Sequence, residues 1–465
     1  MKLDEIIRIL GSASSDTLDR EPRGYSIDSR TAREGDLFFA IRGEVHDGHR
    51  FVADTLAEGA MAAVVSHDFY EAQTDRSKLI PVRDTLDALQ SLASAVLKRW
   101  RGREVAITGS MGKTTTKDMT AVALSTRGRV MKTTGNLNNA FGLPLSILKM
   151  ETDGSRAEDF DFAVLEMGMN HRGELTGLAR IAPPDLAVVT NVAAVHLEFF
   201  SSLDEIAEAK SELVLGVKPR GAAALNSDDE RVARMRNLRS DIEVRTFGIA
   251  NDADVMARDI KTAGLNDTRF ILQTPRGSCD ARLPLAGRHN IYNALAAATT
   301  ADFYEAPIEA IAASLAESSS PRMRGEVIHF QESFTLVDDS YNSNPTALFE
   351  MASAIASAHS ERKIIVAGEM LELGASAEEL HRASGRRLAG LGIDMLIGVR
   401  GLASEIITGA REAGMSNDAT FFCETPDEAG RLLAREARSG DLILVKGSRG
   451  VKTEIVVERM KEMRK

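Results

Sequence analysis

A chain of 465 residues exceeds what one hydrophobic core ordinarily organises, so two or three domains are expected. Hydrophobic residues at 43% and charged ones at 27% describe a globular chain, with no apolar run near the roughly 18–20 residues of a membrane span. A net charge of −11 argues against general nucleic-acid binding but not against an anionic substrate, because local cations can override it. Two cysteines without metal-like spacing, Cys279 and Cys423, and an acidic N-terminus without a signal-peptide core point to a cytoplasmic location.

The first ~85 residues read as a short helix followed by strands in GDLFFAIRG (35–43) and AAVVS (62–66). Leu86, Leu89, Ala93, Val96 and Leu97 recur at helical spacing over 84–100, with Asp84 or Thr85 available as cap. Apolar runs VAI (105–107), FAVLEMG (162–168) and DLAVVTNV (185–192) then alternate with helical patterns. The alternation stops at Glu317-Ser318-Ser319-Ser320-Pro321 and resumes with TLVDDS, KIIVAGEM, DMLIGV and DLILVKGS. Short buried strands alternating with helices imply parallel sheets, twice over. The expected architecture is α/β in three domains, 1–85, 86–317 and 318–465.

The strongest local signal is Thr108-Gly109-Ser110-Met111-Gly112-Lys113-Thr114-Thr115-Thr116, a strand running into a glycine turn, GKT and a helix beginning near Thr115. Glycines let backbone N–H groups approach phosphate, and the helix N-terminus adds a favourable dipole. Lys113 is placed to meet the β/γ-phosphates and the Thr114 hydroxyl to ligate Mg²⁺. Ile107 stands where the strict Walker pattern has its first glycine, so the loop is a shortened G-x-x-G-K-T. Ligands collect at the carboxyl ends of parallel strands. There Glu166 ends FDFAVLE as a hard oxygen donor, and Asn191 and His196 follow DLAVVT. Lys210 lies on an amphipathic helical pattern with Ile206, Ala209 and Leu213; by itself it reads as a surface lysine.

Taken in order, these segments resemble the Mur ligase family. TGSMGKTTT, GNLNNAFGLPLSIL (135–148), VLEMG (164–168), TNVAAVHLEFF (190–200), AKSEL (209–213) and GRHNIYNALAA (287–297) look like its central domain. PRMRGEV (321–327), VDDSYNSNP (337–345), AGEMLELG (367–374) and VKGSRG (445–450) look like its third domain. YSIDSR (25–30), GDLFFAIRG and DGHRFV (47–52) look like its first. The resemblance implies a central P-loop-type domain flanked by an N-terminal UDP-binding domain and a C-terminal Rossmann-like domain. The last would close on ATP and bind an incoming dipeptide. It implies ATP and two Mg²⁺ ions as cofactors, UDP-N-acetylmuramoyl-tripeptide and D-alanyl-D-alanine as partners, and a monomer.

By the same resemblance, Gly109, Ser110, Met111, Gly112, Lys113, Thr114 and Thr115 cradle the nucleotide. Asn290 and Asn293 lie on the adenine side, and Arg322, Asp339 and Asn342 lie where the third domain closes. Thr114, Glu166, His196 and Lys210 match metal positions, with Lys210 matching the family's carbamylated lysine; Lys113, Lys210 and His196 are the catalytic set. Ser29 and Arg30 match the uridine site, and Asn136, Asn138 and Asn139 lie near the muramoyl peptide. Met111 departs from the asparagine common at its position. A carboxylate resists attack by an amine until its oxygen becomes a leaving group, and ATP supplies one as an acyl phosphate. Nearest alternatives are another amino-acid adder or a folylpolyglutamate-type ligase. A P-loop switch of another class would need an Asn-Lys-x-Asp base reader; Asn226-Ser227-Asp228-Asp229 lacks the lysine.

Overall fold

A computed structural model describes residues 1–12, 20–43 and 45–464, and among these the strands form sheets of four, nine and six. The first sheet pairs Tyr25–Ser26, Leu37–Phe39, Ala62–Ser66 and Leu79–Val82, all parallel. Leu37, Phe38 and Phe39 are all buried, as a parallel strand covered on both faces requires. Helix α1 (Thr85–Arg99) follows, and the Asp84 carboxylate accepts the Leu86 and Asp87 N–H groups at its start. Its apolar stripe, Leu89, Leu92 and Val96, shares one core with Leu37, Phe39 and Val64 of this sheet and with Leu143, Ile147 and Leu165 beyond it. The helix therefore joins the first unit to the second. Each fully buried leucine of that stripe is worth about 2 kcal/mol.

The central sheet is built around β1 (Arg103–Thr108), which runs into helix α2 (Lys113–Leu124). Next come β2 (Phe162–Glu166), β3 (Leu186–Val189), helix α3 (Leu203–Leu215) and β4 (Ala222–Asn226). Strand β1 lies between β2 and β3, all parallel, so the carboxyl ends of these three strands open onto one place. Beyond β4 the sheet continues into an antiparallel ribbon, Val255–Thr262, Thr268–Thr274 and Gly277–Leu283, which the strand–helix alternation did not anticipate. Its second and third strands alternate buried with exposed residues and its first buries only Val255, Met256 and Ala257 in a row, so none carries a long apolar run. Helix α4 (Arg288–Phe303) then packs on α2. Ala294, Ala296, Ala297, Ala298 and Ala301 are fully buried, and their small side chains permit that close approach.

In the third sheet, β5 (Thr335–Asp339) lies beside β6 (Asp441–Lys446), followed by Arg362–Gly368, Met395–Val399 and Thr420–Cys423. These strands are parallel; Glu326–His329 adds one antiparallel edge. Helices cover both faces, giving separate apolar cores on either side. No helix among the described residues is long and apolar enough to cross a membrane.

Candidate active site

The turn between β1 and α2 is held open by specific contacts. Gly109 has φ +150° and Gly112 φ +79°, conformations costly for any residue with a Cβ. Thr190 and Asn191, just past β3, clamp the turn: both side chains donate to the Met111 carbonyl, at 2.7 and 3.1 Å, and Asn191 Oδ1 accepts the Met111 N–H at 2.9 Å. Met111 is thus fixed through its backbone, which explains why its side chain can depart from asparagine. The helix starts at Lys113, two residues earlier than expected, so its free N–H groups point from the glycine turn itself. Lys113 Nζ bends back to the Gly109 carbonyl at 2.8 Å. Burial lowers its pKa, opposed by the Glu166 charge.

Glu166, at the end of β2, accepts from the Thr114 hydroxyl and from Asn138 Nδ2, each at 2.8 Å. These oxygens are hard donors beside the phosphate turn and fit Mg²⁺. No group of three His, Cys, Asp or Glu side chains among the described residues could hold a metal by itself. His196, with φ +57° in the loop after β3, instead bonds Glu372 of the third unit through Nδ1 at 2.5 Å. Lys210 on α3 is only 2% exposed, contrary to the surface position its sequence pattern favours, and it lies behind the cavity wall. Burial pushes its pKa well below the ordinary value, and the neighbouring Lys113 charge pushes the same way. Two lysine side chains lowered by burial, with the Glu166 carboxylate as the anion that raises Lys113 and none among the described residues that raises Lys210, describe a place that is short of negative charge.

Lys113, Thr114, Glu166 and His196 border one cavity of about 1050 Å³ between the central and third units. Asn290 and Asn293 line it, yet their amides are engaged internally. Asn293 Oδ1 accepts from Thr116 Oγ1 at 3.1 Å, Asn293 Nδ2 donates to Asn290 Oδ1 at 3.0 Å, and Asn290 Nδ2 donates to the Ala286 carbonyl at 2.7 Å. They brace the phosphate helix against α4. Asp228 takes three backbone N–H groups, from Ile249, Ala250 and Asn251, and the Tyr292 hydroxyl. That saturation makes it a loop organiser, which removes the one candidate base reader of a P-loop switch. Burial holds His289, also on the wall, down at about 4 and therefore neutral.

From the third unit, Asp339 and Asn342 reach the cavity, as expected, and both are held by Lys446: its Nζ donates to Asp339 Oδ2 and to the Asn342 carbonyl. Arg322 does not line the cavity and is exposed; Arg324 lines it instead. Met323 between them has φ +63°, which breaks the alternation that would otherwise aim both arginines the same way. Arg324 lies over the Tyr341 ring at 3.9 Å, and its charge is felt at Lys113 across the cleft. Sequence reasoning missed Arg324, Tyr341, Lys446, Glu372 and Arg449; only the third unit's approach to the phosphate turn singles them out.

Outside the cavity lie Ser29, Arg30 and Asn136. Arg30 is bidentate to Asp28 on the first sheet's surface, at 2.9 and 2.7 Å, and Asn136 is exposed. Asn138 and Asn139 line the cavity, and Asn139 Oδ1 also caps the helix that follows by accepting from Phe141 and Gly142 N–H.

Comparison with known proteins adds an independent line. Residues 107–301 match the Mur ligase middle domain, 323–449 the Mur ligase glutamate ligase domain and 21–96 the Mur ligase family catalytic domain. The chain is 36% identical to the UDP-N-acetylmuramoyl-tripeptide–D-alanyl-D-alanine ligase of Escherichia coli, with 98% of this chain and 99% of that protein aligned. Its structure superposes on MurF from Acinetobacter baumannii with a TM-score of 0.88 at 30% identity, covering 99% of this chain and 98% of that one. It superposes on the Thermotoga maritima MurF ligase solved in complex with ADP with a TM-score of 0.81 at 29% identity, covering 95% and 97%.

Proposed function

The chain belongs to the Mur ligase family, and from that membership we propose that it joins D-alanyl-D-alanine to UDP-N-acetylmuramoyl-tripeptide at the expense of ATP, in peptidoglycan precursor synthesis. The observation that carries the reading is the shared cavity: the phosphate turn forms one wall, and Arg324, Asp339 and Tyr341 of the third unit form the other.

In this reading the triphosphate lies on the α2 N-terminus with Lys113 against its outer phosphates. The terminal carboxylate of the tripeptide attacks the γ-phosphorus, the P–O bond to ADP breaks, and an acyl phosphate forms. Lys113 and Arg324 offset the charge of two anions brought together, acting in a site screened from water where each such contact strengthens. The dipeptide ammonium gives up a proton to solvent and the free amine attacks the acyl carbon; a tetrahedral intermediate forms, phosphate leaves with its electron pair, and the nitrogen loses a second proton to become the amide. Asn290 and Asn293 hold the turn in register, and Ser29 and Arg30 of the first unit, with Asn136, Asn138 and Asn139, hold the UDP-peptide. Thr114, Glu166, His196 and Lys210 would hold Mg²⁺, which when bound offers Lewis-acid charge to the phosphates. Burial favours the unprotonated Lys210 amine, the form that adds CO₂ to give a carbamate with release of one proton, and the carbamate would supply the missing negative charge.

The test is an assay of purified protein with ATP, paired candidate UDP-muramoyl peptides, and D-Ala-D-Ala or single amino acids. Phosphate release that needs both the peptide and the dipeptide is the expected result. Acceptance of single amino acids alone overturns the substrate assignment while leaving a ligase. Lys210→Ala should abolish ligation, with short carboxylic acids restoring part of the rate; full activity in that variant removes the carbamate from the scheme.

A further inference from the structure

Three anions must enter this cavity in the reaction just described: the triphosphate, the acceptor carboxylate and the free carboxylate of the incoming dipeptide. The cations on its walls are not equally available. Lys113 lies on the phosphate turn, and Lys446 is held by Asp339 and the Asn342 carbonyl. Arg231 pairs with Asp204, Arg288 at the start of α4 engages the Tyr292 hydroxyl, and Arg324 faces Lys113 across the cleft.

Arg449, in the turn after β6, remains. Glu454 accepts from its Nη1 at 2.9 Å, and the Nε–Nη2 edge of the guanidinium has no protein acceptor among the described residues. A guanidinium oriented on one side by a carboxylate and free on the other is a fork suited to a second, bidentate carboxylate. Beside it stands Leu371, an apolar side chain left 39% exposed on the cavity rim. Leu371 is held there because its N–H donates to Ser448 Oγ at 2.9 Å, and it packs on Gly450 so closely that an added Cβ would lie 2.8 Å from its Cδ1.

Reach is also right. The Arg324 and Arg449 guanidinium carbons lie 3.9 and 6.0 Å from the centre of the same Tyr341 ring. They are therefore no more than roughly 10 Å apart, and a dipeptide spans about 7 Å from amine to carboxylate. A dipeptide whose amine reaches the acyl phosphate near Arg324 can place its carboxylate at Arg449 and a methyl group on Leu371.

We propose that Arg449, oriented by Glu454, binds the terminal carboxylate of the amine substrate and so sets the enzyme's preference for a short dipeptide acid. The proposal rests on the ligase reading above. Its test compares D-Ala-D-Ala with its C-terminal amide, D-Ala-D-Ala-NH₂, in the wild type, Arg449→Ala and Arg449→Lys, with KM for ATP and the UDP-peptide measured alongside. Arg449 is largely exposed, so the substitutions leave folding intact. The wild type should favour the acid over the amide by about 100-fold in kcat/KM, since a site built to pair a group rejects the analogue lacking it. Arg449→Ala should raise KM for the acid about 30-fold or more, leave the amide nearly unchanged, and thus erase the preference; Arg449→Lys should retain part of it. Equal losses for acid and amide, or a change confined to KM for ATP, overturn the assignment. A wild type that uses neither dipeptide but ligates another amine instead defeats the ligase reading itself, a separate outcome.

Discussion

Replacing Gly112 by alanine tests whether the geometry of the phosphate turn governs nucleotide binding. Gly112 sits at φ +79°, and left-handed backbone costs an L-residue about 1–2 kcal/mol. An alanine Cβ would also lie 2.2 Å from Asn293 Oδ1, and 3.1 Å from its Cγ. Asn293 cannot simply turn away, because its amide holds Thr116 and Asn290 in a buried chain, and each broken member costs about 1–3 kcal/mol. The cheaper response is for the turn to shift, which spoils the N–H cradle. A loss near 3 kcal/mol corresponds to about a 100-fold weaker affinity for ADP, measurable by titration calorimetry. Gly173→Ala is the control: that glycine also precedes a helix, at φ +88°, but an added Cβ there meets nothing within 4 Å. It should cost stability alone and leave ADP affinity unchanged. If Gly112→Ala binds ADP within about threefold of the wild type, close packing of the turn on Asn293 does not control the site.

Other consequences can be checked directly. Thr114→Val keeps the shape but removes the hydroxyl that Glu166 accepts from, so the Mg²⁺ concentration for half-maximal ligation should rise at least about tenfold, while the lost buried hydrogen bond, about 1–3 kcal/mol, lowers melting temperature by only a few degrees. Asp339→Ala leaves the buried Lys446 without its carboxylate, and urea unfolding should show a loss of about 3 kcal/mol; an unchanged midpoint would contradict the pairing. Glu104, 3% exposed at the far end of β1 with Oε2 unpartnered, is pushed up to about 7 by burial, against the pull of Lys218. Because the folded state binds that proton more tightly than the unfolded chain, stability falls as pH rises from about 4.5 to 7, by up to roughly 3 kcal/mol. Glu104→Gln should therefore match the wild type in denaturation near pH 4.5 and exceed it above pH 7; parallel curves at both pH values would show that the carboxylate is not strained.

Local patterns sufficed where a local cause acts. The β1 turn, with its two glycines and GKT, could be read directly because phosphate geometry needs those residues in consecutive positions. The cap at Asp84, and Glu166 at the end of an all-apolar strand, follow for the same reason: the relevant partner is a few residues away or at the strand's own end. The ribbon from Val255 to Leu283 escaped because two of its strands bury one face only and the other buries just its first three residues. Long-range placement decided the rest. Lys210 looks like a surface lysine on an amphipathic helix, and only the packing of α3 beneath the central sheet buries it beside Lys113. Arg322 and Arg324 are indistinguishable in PRMRGEV until the left-handed backbone at Met323 aims one of them at the cleft. His196 meets Glu372 across 176 positions of sequence, and Arg449, whose Glu454 partner is only five residues on, reaches the Tyr341 shelf because β5 and β6 pair side by side. The chain's own order determines which elements form and where a phosphate can lie. Which charges face one another across the cleft depends on how two separately cored sheets come together, and no periodicity within either one encodes that distance.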